Sequence, residues 1–485
     1  MPTVASRSLN DVDPLDEALR PPFDESEEER AIRLSEEAEA KRISQAIDES
    51  IRVERQSQKK RSIVRLLLLG QSESGKSTTL RHFQRLYTPN AFQEERFLWR
   101  SVIQLNIVRS VRTIIDALSS VRLPPVDSGG EDSDDGGPNI PQELEFLKMR
   151  LTPLRHIEAL LIAKLIPANE DDALSQPGSS SLSNYKTHRS RSSERSWRSQ
   201  EVFVRPGATW KGALAKSTRA NGPPISPDSA LGIRDEAQEV LHSCSDDIQT
   251  LWNDKLVREV LRRRKIRLEE FPGFFLNDLE RVTALDFTPN DDDVLRARLK
   301  TVGVSEYRFE MEAAAGRESG TEWRIVDVGG SRSQRATWVP FFDDVDAIIF
   351  LAPISGFDQV LAEDRSVNRL EDSVLLWKAV CSNRLLANVD LVLFLNKCDI
   401  LEAKLKSGTR LSKYVRSYAD RPNDLETASK YFRSKFSAIH REYSPLPRKF
   451  YGFCTSVTDT STTAGILASV RDMVVRRHLK QSRLL

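Results

Sequence analysis

Residues 63–78 read I-V-R-L-L-L-L-G-Q-S-E-S-G-K-S-T. The apolar run Leu66–Leu69 stops at Gly70, and Gly75, Lys76 and Ser77 follow with the spacing G-x-x-x-x-G-K-[ST]. A buried strand that runs into a glycine turn and then opens a helix aims several backbone N–H groups at one point. In that frame Gly70, Gln71, Ser72, Glu73, Ser74, Gly75, Lys76, Ser77 and Thr78 form a phosphate cradle. Lys76 reaches the outer phosphates and Ser77 holds Mg²⁺. The strand context separates this loop from a chance strand-to-helix turn.

Bulk properties bound what surrounds the loop. At 485 residues the chain is long enough for two or three domains. Lys and Arg number 72 against 71 Asp and Glu, so no bulk charge points to a nucleic-acid partner. Cys244, Cys381, Cys398 and Cys454 show neither paired nor metal-ligand spacing, which fits a reduced compartment. The longest apolar runs, such as Ala347–Ala352 and Leu391–Leu395, have strand length and fall short of a bilayer span. Met1-Pro2-Thr3 opens no apolar signal segment, and Pro2 stands where N-myristoylation needs glycine. No prenylatable Cys lies in the closing Arg483-Leu484-Leu485.

Residues 1–25 are polar, acidic and proline-bearing and are expected to be disordered. Residues 26–61 lack Pro and Gly and are rich in Glu, Arg, Lys and Ala, which predicts a long helix. Ser26 and Glu29 have capping-box spacing. Ile32, Ile43, Ile47 and Ile51 make a thin apolar stripe suited to docking. Strand, phosphate loop and helix occupy 62–88. A helical block is expected at 89–296, with Leu98, Val102, Leu105, Val108, Ile115 and Leu118 as core. Within it, about 122–139 and 167–240 are Ser-, Gly-, Pro- and Arg-rich and read as disordered insertions. A helix-like patch at 142–166 contains Pro153. From 297 to 485, strands are expected at 304–311, 322–327, 346–351, 390–395 and 449–454, with helices at 363–383, 424–442 and 462–481. This alternation predicts an α/β doubly wound sheet interrupted by an all-α domain.

Two further motifs stand at strand ends. Residues 323–330 read W-R-I-V-D-V-G-G, an apolar strand ending in Asp327 and then a glycine pair. An Asp there can hold the Mg²⁺ hydration shell, and the backbone N–H of Gly330 can approach a γ-phosphate. Residues 393–399 read L-F-L-N-K-C-D. The Asp399 carboxylate can accept from guanine N1–H and the exocyclic amine, and the Lys397 stem can cover one face of the base. Third in order after a phosphate loop, Asn396, Lys397 and Asp399 point to guanine.

These motifs, with D-V-L-R-A-R-L-K-T-V-G-V at 293–304, L-N-D-L-E-R-V at 276–282, V-L-A-E-D at 360–364, N-R-L at 368–370 and T-S-V-T-D-T at 455–460, resemble the α subunits of heterotrimeric G proteins. The likeness spans roughly 40–120 and 246–485 and suggests an atypical, fungal-like member with a long insertion. It implies a Ras-like GTPase domain (doubly wound sheet) split by a helical domain. Implied ligands are GTP or GDP and Mg²⁺, the metal held by Ser77 and Thr301. By the same likeness, Arg298 is a built-in arginine finger that pairs with Glu73 across the phosphates, and Leu295 and Arg296 belong to the first switch. The backbone of Val457 meets guanine O6, and Asp278 faces Lys397 across the cleft. The implied partners are a βγ dimer on the N-terminal helix, a seven-helix receptor at the C-terminal helix and an effector. The implied location is the cytoplasm, at the cytoplasmic face of the plasma membrane within a heterotrimer.

Four positions depart from the family pattern. Ser331 stands where the family has the glutamine that orients the attacking water. Ser72 replaces a loop glycine, and Val302 replaces a polar residue after Thr301. The N-terminus offers no acylation site. Slow hydrolysis is therefore expected, unless Gln334 or another side chain substitutes. A GTP-loaded or nucleotide-indifferent adaptor is the alternative, and retained Lys76, Arg298, Thr301 and guanine motif weigh against it.

Overall fold

Seven residues of continuous apolar chain, Ala347–Pro353, are buried at every position. A strand buried on both faces needs helices on both sides of its sheet, and this one has them. The computed structural model describes residues 26–60, 63–119, 141–165, 203–204, 235–301, 303–310, 322–456 and 460–481. The chain divides into two units, 1–62 and 63–485.

The described part of the first unit is one helix, α1, Glu27–Lys60. Its Ile32, Ile43, Ile47 and Ile51 are exposed. Local ion pairs, Arg33 to Glu37 and Arg42 to Glu39 at 2.7 Å each, stitch its polar surface.

The second unit is built on strands β1 (Ile63–Leu69), β4 (Val304–Glu310), β5 (Glu322–Val328), β6 (Ala347–Pro353), β7 (Asp390–Asn396) and β8 (Tyr451–Cys454). Their order is β4-β5-β1-β6-β7-β8, with β4 antiparallel at one edge and the other pairs parallel. One face packs α2 (Lys76–Tyr87) and α15 (Thr460–Gln481) through Phe83, Trp323, Leu467 and Val470. The other packs α12 (Arg369–Ser382), α13 (Cys398–Lys406) and α14 (Leu425–Tyr443) through Trp377, Leu401 and Phe436. The helices thus cover a sheet whose parallel strands all end at one crevice, the usual ligand position in such folds. This is a Ras-like GTPase domain joined to a helical domain.

Between α2 and β4 the chain forms that helical domain. It comprises α3 (Pro89–Glu95), α4 (Trp99–Ser119), α5 (Gln142–Arg150), α6 (Pro153–Leu165), α7 (Glu236–Ser243), α8 (Ser245–Asn253), α9 (Lys255–Arg263), α10 (Leu279–Val282) and α11 (Asp291–Arg296). Leu98, Val102, Leu105, Val108 and Leu118 are in its core, and Ile115 packs against it partly buried. The patch at 142–166 is two helices, because Pro153 lacks an N–H and starts the second one. The expected insertion ends earlier than residue 240. Glu236 and Glu239 in the first turn of α7 favour a helix start there, and Ala237 and Leu241 are buried. Within the insertion, β2 (Phe203–Val204) pairs in parallel with β3 (Lys300–Thr301). The helix expected from 363 begins at Arg369, since the Asn368 side chain accepts from the N–H groups of Leu370 and Glu371 and caps it. Among the described residues no helix is long and apolar enough to cross a membrane.

Candidate functional site

The crevice starts where β1 ends. Gly70 has φ of +147°, and a Cβ there would lie 2.5 Å from the Leu351 carbonyl oxygen. Gly75 has φ of +104°, and a Cβ would lie 2.3 Å from Asn396 Nδ2. Only glycine fits at either place, so the loop closes tightly against β6 and β7. Lys76 curls back over the loop and donates to the carbonyls of Gly70 and Gln71, both at 2.9 Å. Burial pushes its ammonium down to about 8 despite nearby Asp327. An incoming polyanion relieves that cost by supplying countercharge. Ser77 and Thr78 lie in the first turn of α2. The Gln71 side chain turns away into α12, donating to the Arg369 carbonyl and Ser373 Oγ. Ser74 offers its carbonyl to Asn396 Nδ2 at 2.8 Å.

Across the loop sits the pair expected from the first switch. Arg298 Nη2 lies 2.7 Å from Glu73 Oε1, and Arg369 Nη1 lies 3.0 Å from Glu73 Oε2. Burial opposes the Glu73 charge, but Arg298, Arg369 and Lys397 outweigh it and hold the carboxyl at about 2. Glu73 has φ of +60°, a strained backbone for a side-chain-bearing residue. Arg369 also donates to the Ser72 carbonyl at 2.9 Å. Asn106, from α4, fixes Arg298 through its backbone: Oδ1 accepts from Arg298 N–H at 2.7 Å and Nδ2 donates to its carbonyl at 2.9 Å. Arg81 of α2 donates to the carbonyls of Val294, Leu295 and Ala297. Asn106 and Arg81 escape the motif reading, and Arg369, within the quoted N-R-L at 368–370, carried no assigned role there. Asn106 is one of three buried polar residues on α4, with Ser101 and Gln104, so nothing in the sequence singles it out.

Asp327, at the end of β5, is buried and accepts from Ser77 Oγ at 2.6 Å. Two hard oxygen donors side by side at a helix N-terminus fit Mg²⁺, which takes few protein ligands and completes its shell with phosphate and water. Thr301 is placed by its backbone, paired with Val204. Gly329 donates to the Gly303 carbonyl at 2.8 Å, joining the two switch segments. A Cβ on Gly330 would lie 2.4–2.5 Å from the backbone of Gln71 and Ser72, so this turn rests directly on the phosphate loop. Ser331 donates from Oγ to Gln334 Oε1 at 2.9 Å.

The base side of the crevice joins two loops. Asn396 Oδ1 accepts from Thr455 Oγ1 at 3.0 Å, and Cys398 N–H donates to the Thr455 carbonyl. Lys397 adopts φ of +64°, which turns the chain from β7 into α13. Burial pushes its ammonium down to about 8. Asp399 follows in the first turn of α13. Val457 and Val302 lie outside the described residues.

The helical domain borders the same cleft. The Asp278 carboxylate is bound by Arg296 Nη1 at 2.8 Å. Arg296 also donates to the Phe274 carbonyl. Leu295 is buried, and its carbonyl faces Arg81. A second contact clasps the domains: Lys404 Nζ lies 2.9 Å from Glu270 Oε2 and 2.6 Å from Asp358 Oδ1, while Arg267 pairs with Asp358.

Residues 41–474 match the G-protein alpha subunit family. The guanine nucleotide-binding protein alpha-4 subunit of Mycosarcoma maydis is 30% identical, with 99% of this chain and 97% of that protein covered. The alpha-2 subunit of Neurospora crassa is 28% identical over 92% of this chain and 97% of its own. An alpha subunit from Candida albicans is 29% identical over 91% and 95%. With a phosphate loop, an arginine switch and a guanine motif gathered at one crevice and the match running through nearly the whole chain, this protein belongs to the G-protein alpha subunit family, the guanine nucleotide-binding signal transducers.

Proposed function

We propose that this G-protein α subunit binds GTP and GDP with Mg²⁺ and hydrolyses GTP slowly, so that it stays loaded far longer than an ordinary member. Ser77 and Asp327 support a metal position, with Thr301 joining when a γ-phosphate is present. Bound Mg²⁺ neutralises charge on the β- and γ-phosphates. Lys76 and the loop N–H groups hold the phosphates, and Asn396, Lys397 and Asp399 read guanine, with Val457 at O6. Arg298, held by Glu73 and Asn106, is the finger that stabilises charge in transit.

One observation carries the slow rate. The residue at the glutamine position, Ser331, is short and engaged within its own loop with Gln334. A single hydroxyl there does not span the water and the γ-phosphate as a carboxamide does. Ser72, whose backbone packs against Gly330, adds a side chain where the family has none. An intrinsic Gα rate is on the order of 10⁻² s⁻¹, and losing one positioned group lowers it by roughly 10²-fold.

The exposed isoleucine stripe on α1 supports docking of a βγ dimer, and α15 is the receptor-facing element. The chain works at the cytoplasmic face of the plasma membrane, reached through these partners. Equilibrium binding of fluorescent GDP and GTPγS, with ATP as competitor, tests the nucleotide reading. Micromolar or tighter guanine binding that Asp399→Ala weakens at least ~10-fold is expected, since a lost charged hydrogen-bond pair costs about 1.5–3 kcal/mol. Equal affinity for ATP overturns it.

A further inference from the structure

The Gln334 carboxamide lies folded back on the Gly329–Gly330 turn, which rests on the phosphate loop. A Cβ on Gly329 would sit 2.1 Å from its Oε1 and 3.1 Å from its Nε2, so the amide rests on the Gly329 Cα. The backbone closes the same turn, Gln334 N–H to the Ser331 carbonyl at 3.0 Å. Trp338 Nε1 donates to the Gly329 carbonyl at 2.9 Å and buries the far side. Gly329 is tied to Gly303, and Gly330 rests on the phosphate loop. The amide therefore sits where the two switches and the loop meet.

The polarity of its bond to Ser331 is informative. Ser331 Oγ donates its one proton to Gln334 Oε1 at 2.9 Å, and its other neighbour is Ser333 Oγ at 3.4 Å. A hydroxyl whose proton is committed keeps lone pairs for accepting. Among the described residues Gln334 Nε2 makes no hydrogen bond. Ser331 and Gln334 together thus offer one acceptor and one amide donor, the set that a single glutamine carries on one side chain.

We infer that Gln334 is a catalytic residue for GTP hydrolysis, acting together with Ser331: it fixes the serine hydroxyl so that a lone pair receives the attacking water, while its own Nε2 donates to a γ-phosphate oxygen. The water oxygen bonds to Pγ, and the bond from Pγ to the β–γ bridging oxygen breaks with its electron pair staying on GDP. The water proton ends on the released phosphate. This rests on the slow-GTPase reading and explains what rate remains. A donor and acceptor split between two side chains is held less rigidly than one amide, so the rate stays below that of a glutamine at position 331.

The test is single-turnover hydrolysis of γ-labelled GTP by the full chain as wild type, Gln334→Ala, Ser331→Gln, and the double variant. Gln334→Ala is expected to lower the residual rate ~10-fold or more, as expected for losing a positioned group. In the Ser331→Gln background the same change is expected to alter the rate by less than ~2-fold, because the pair's role is then filled. Equal losses in both backgrounds, or none in the first, overturn the inference. The wild-type rate alone decides the slow-GTPase reading, so the two failures are distinguishable. Trp338 fluorescence separates catalysis from folding. Gln334→Ala should respond to GTPγS as wild type does, and lose the response to GDP with aluminium fluoride, a mimic of phosphoryl transfer. Loss of both responses assigns Gln334 a structural role and overturns the inference.

Discussion

Arg298 Nη2 stands 2.7 Å from Glu73 Oε1, so the first switch is tied to the phosphate loop across the crevice. The same carboxylate holds Arg369 at 3.0 Å, which anchors it to α12. Glu73 serves as a hub among cations rather than as half of an isolated pair. Removing Arg298 leaves that hub compensated by Arg369 and Lys397. In a Ser72→Gly/Ser331→Gln background, where turnover is readily measured, Arg298→Ala should lower single-turnover hydrolysis by ~10³-fold, the worth of an arginine finger. GTPγS affinity should change little. A rate within a few-fold of the parent contradicts the assignment.

Lys404 gives a second prediction. Its buried ammonium bridges Glu270 of the helical domain and Asp358 of the GTPase domain, and it donates to the Ser355 carbonyl at 2.8 Å. Lys404→Ala leaves two carboxylates facing each other, with Arg267 near both. Breaking a buried ion pair from one side costs about 3–5 kcal/mol. Part of that loss falls on domain closure, so release of fluorescent GDP should quicken at least ~10-fold, with a cooperative melt retained. An unchanged release rate shows that the clasp does not restrain the nucleotide.

Acid sensitivity follows from two buried histidines. Burial, aided by Arg85 and Arg81, pushes His82 down to about 4, and burial with Arg448 does the same for His440. The ordinary value is near 6.5, so between pH 6.5 and 4 the unfolded chain binds protons that the folded chain refuses. Stability therefore falls as pH drops through that window, by about 1–2 kcal/mol per histidine at pH 5. Urea denaturation at pH 7 and pH 5 reads this out. His82→Gln/His440→Gln should flatten the dependence, and an unaltered pH slope in that variant rejects it.

The sequence made the sheet legible because its strands are buried on both faces and therefore read as unbroken apolar runs, as at 66–69, 347–352 and 391–395. The helix ends were harder. Asn368 sets the start of α12 through a cap, and Pro153 splits a helical patch in two, both local effects beneath a composition window. Motif residues stood out because phosphate and guanine recognition demand fixed spacing. The residues that hold them did not. Asn106 is 192 positions from Arg298, and Arg369, quoted only within N-R-L and without a role, is 296 from Glu73, so folding alone brings each to its partner. The contact of Asp278 with Arg296 depended on a side-chain choice within the helical domain, which no spacing announces.

The central claim is that the crevice holds GTP well and completes its hydrolysis slowly because Ser331 and Ser72 replace a glutamine and a glycine. Single-turnover hydrolysis of γ-labelled GTP, comparing the wild-type chain with Ser72→Gly/Ser331→Gln, tests it most directly. A wild-type rate of about 10⁻⁴ s⁻¹, rising by ~10²-fold in the double variant, is the predicted result. A wild-type rate near the ordinary ~10⁻² s⁻¹, unmoved by the two substitutions, would contradict it.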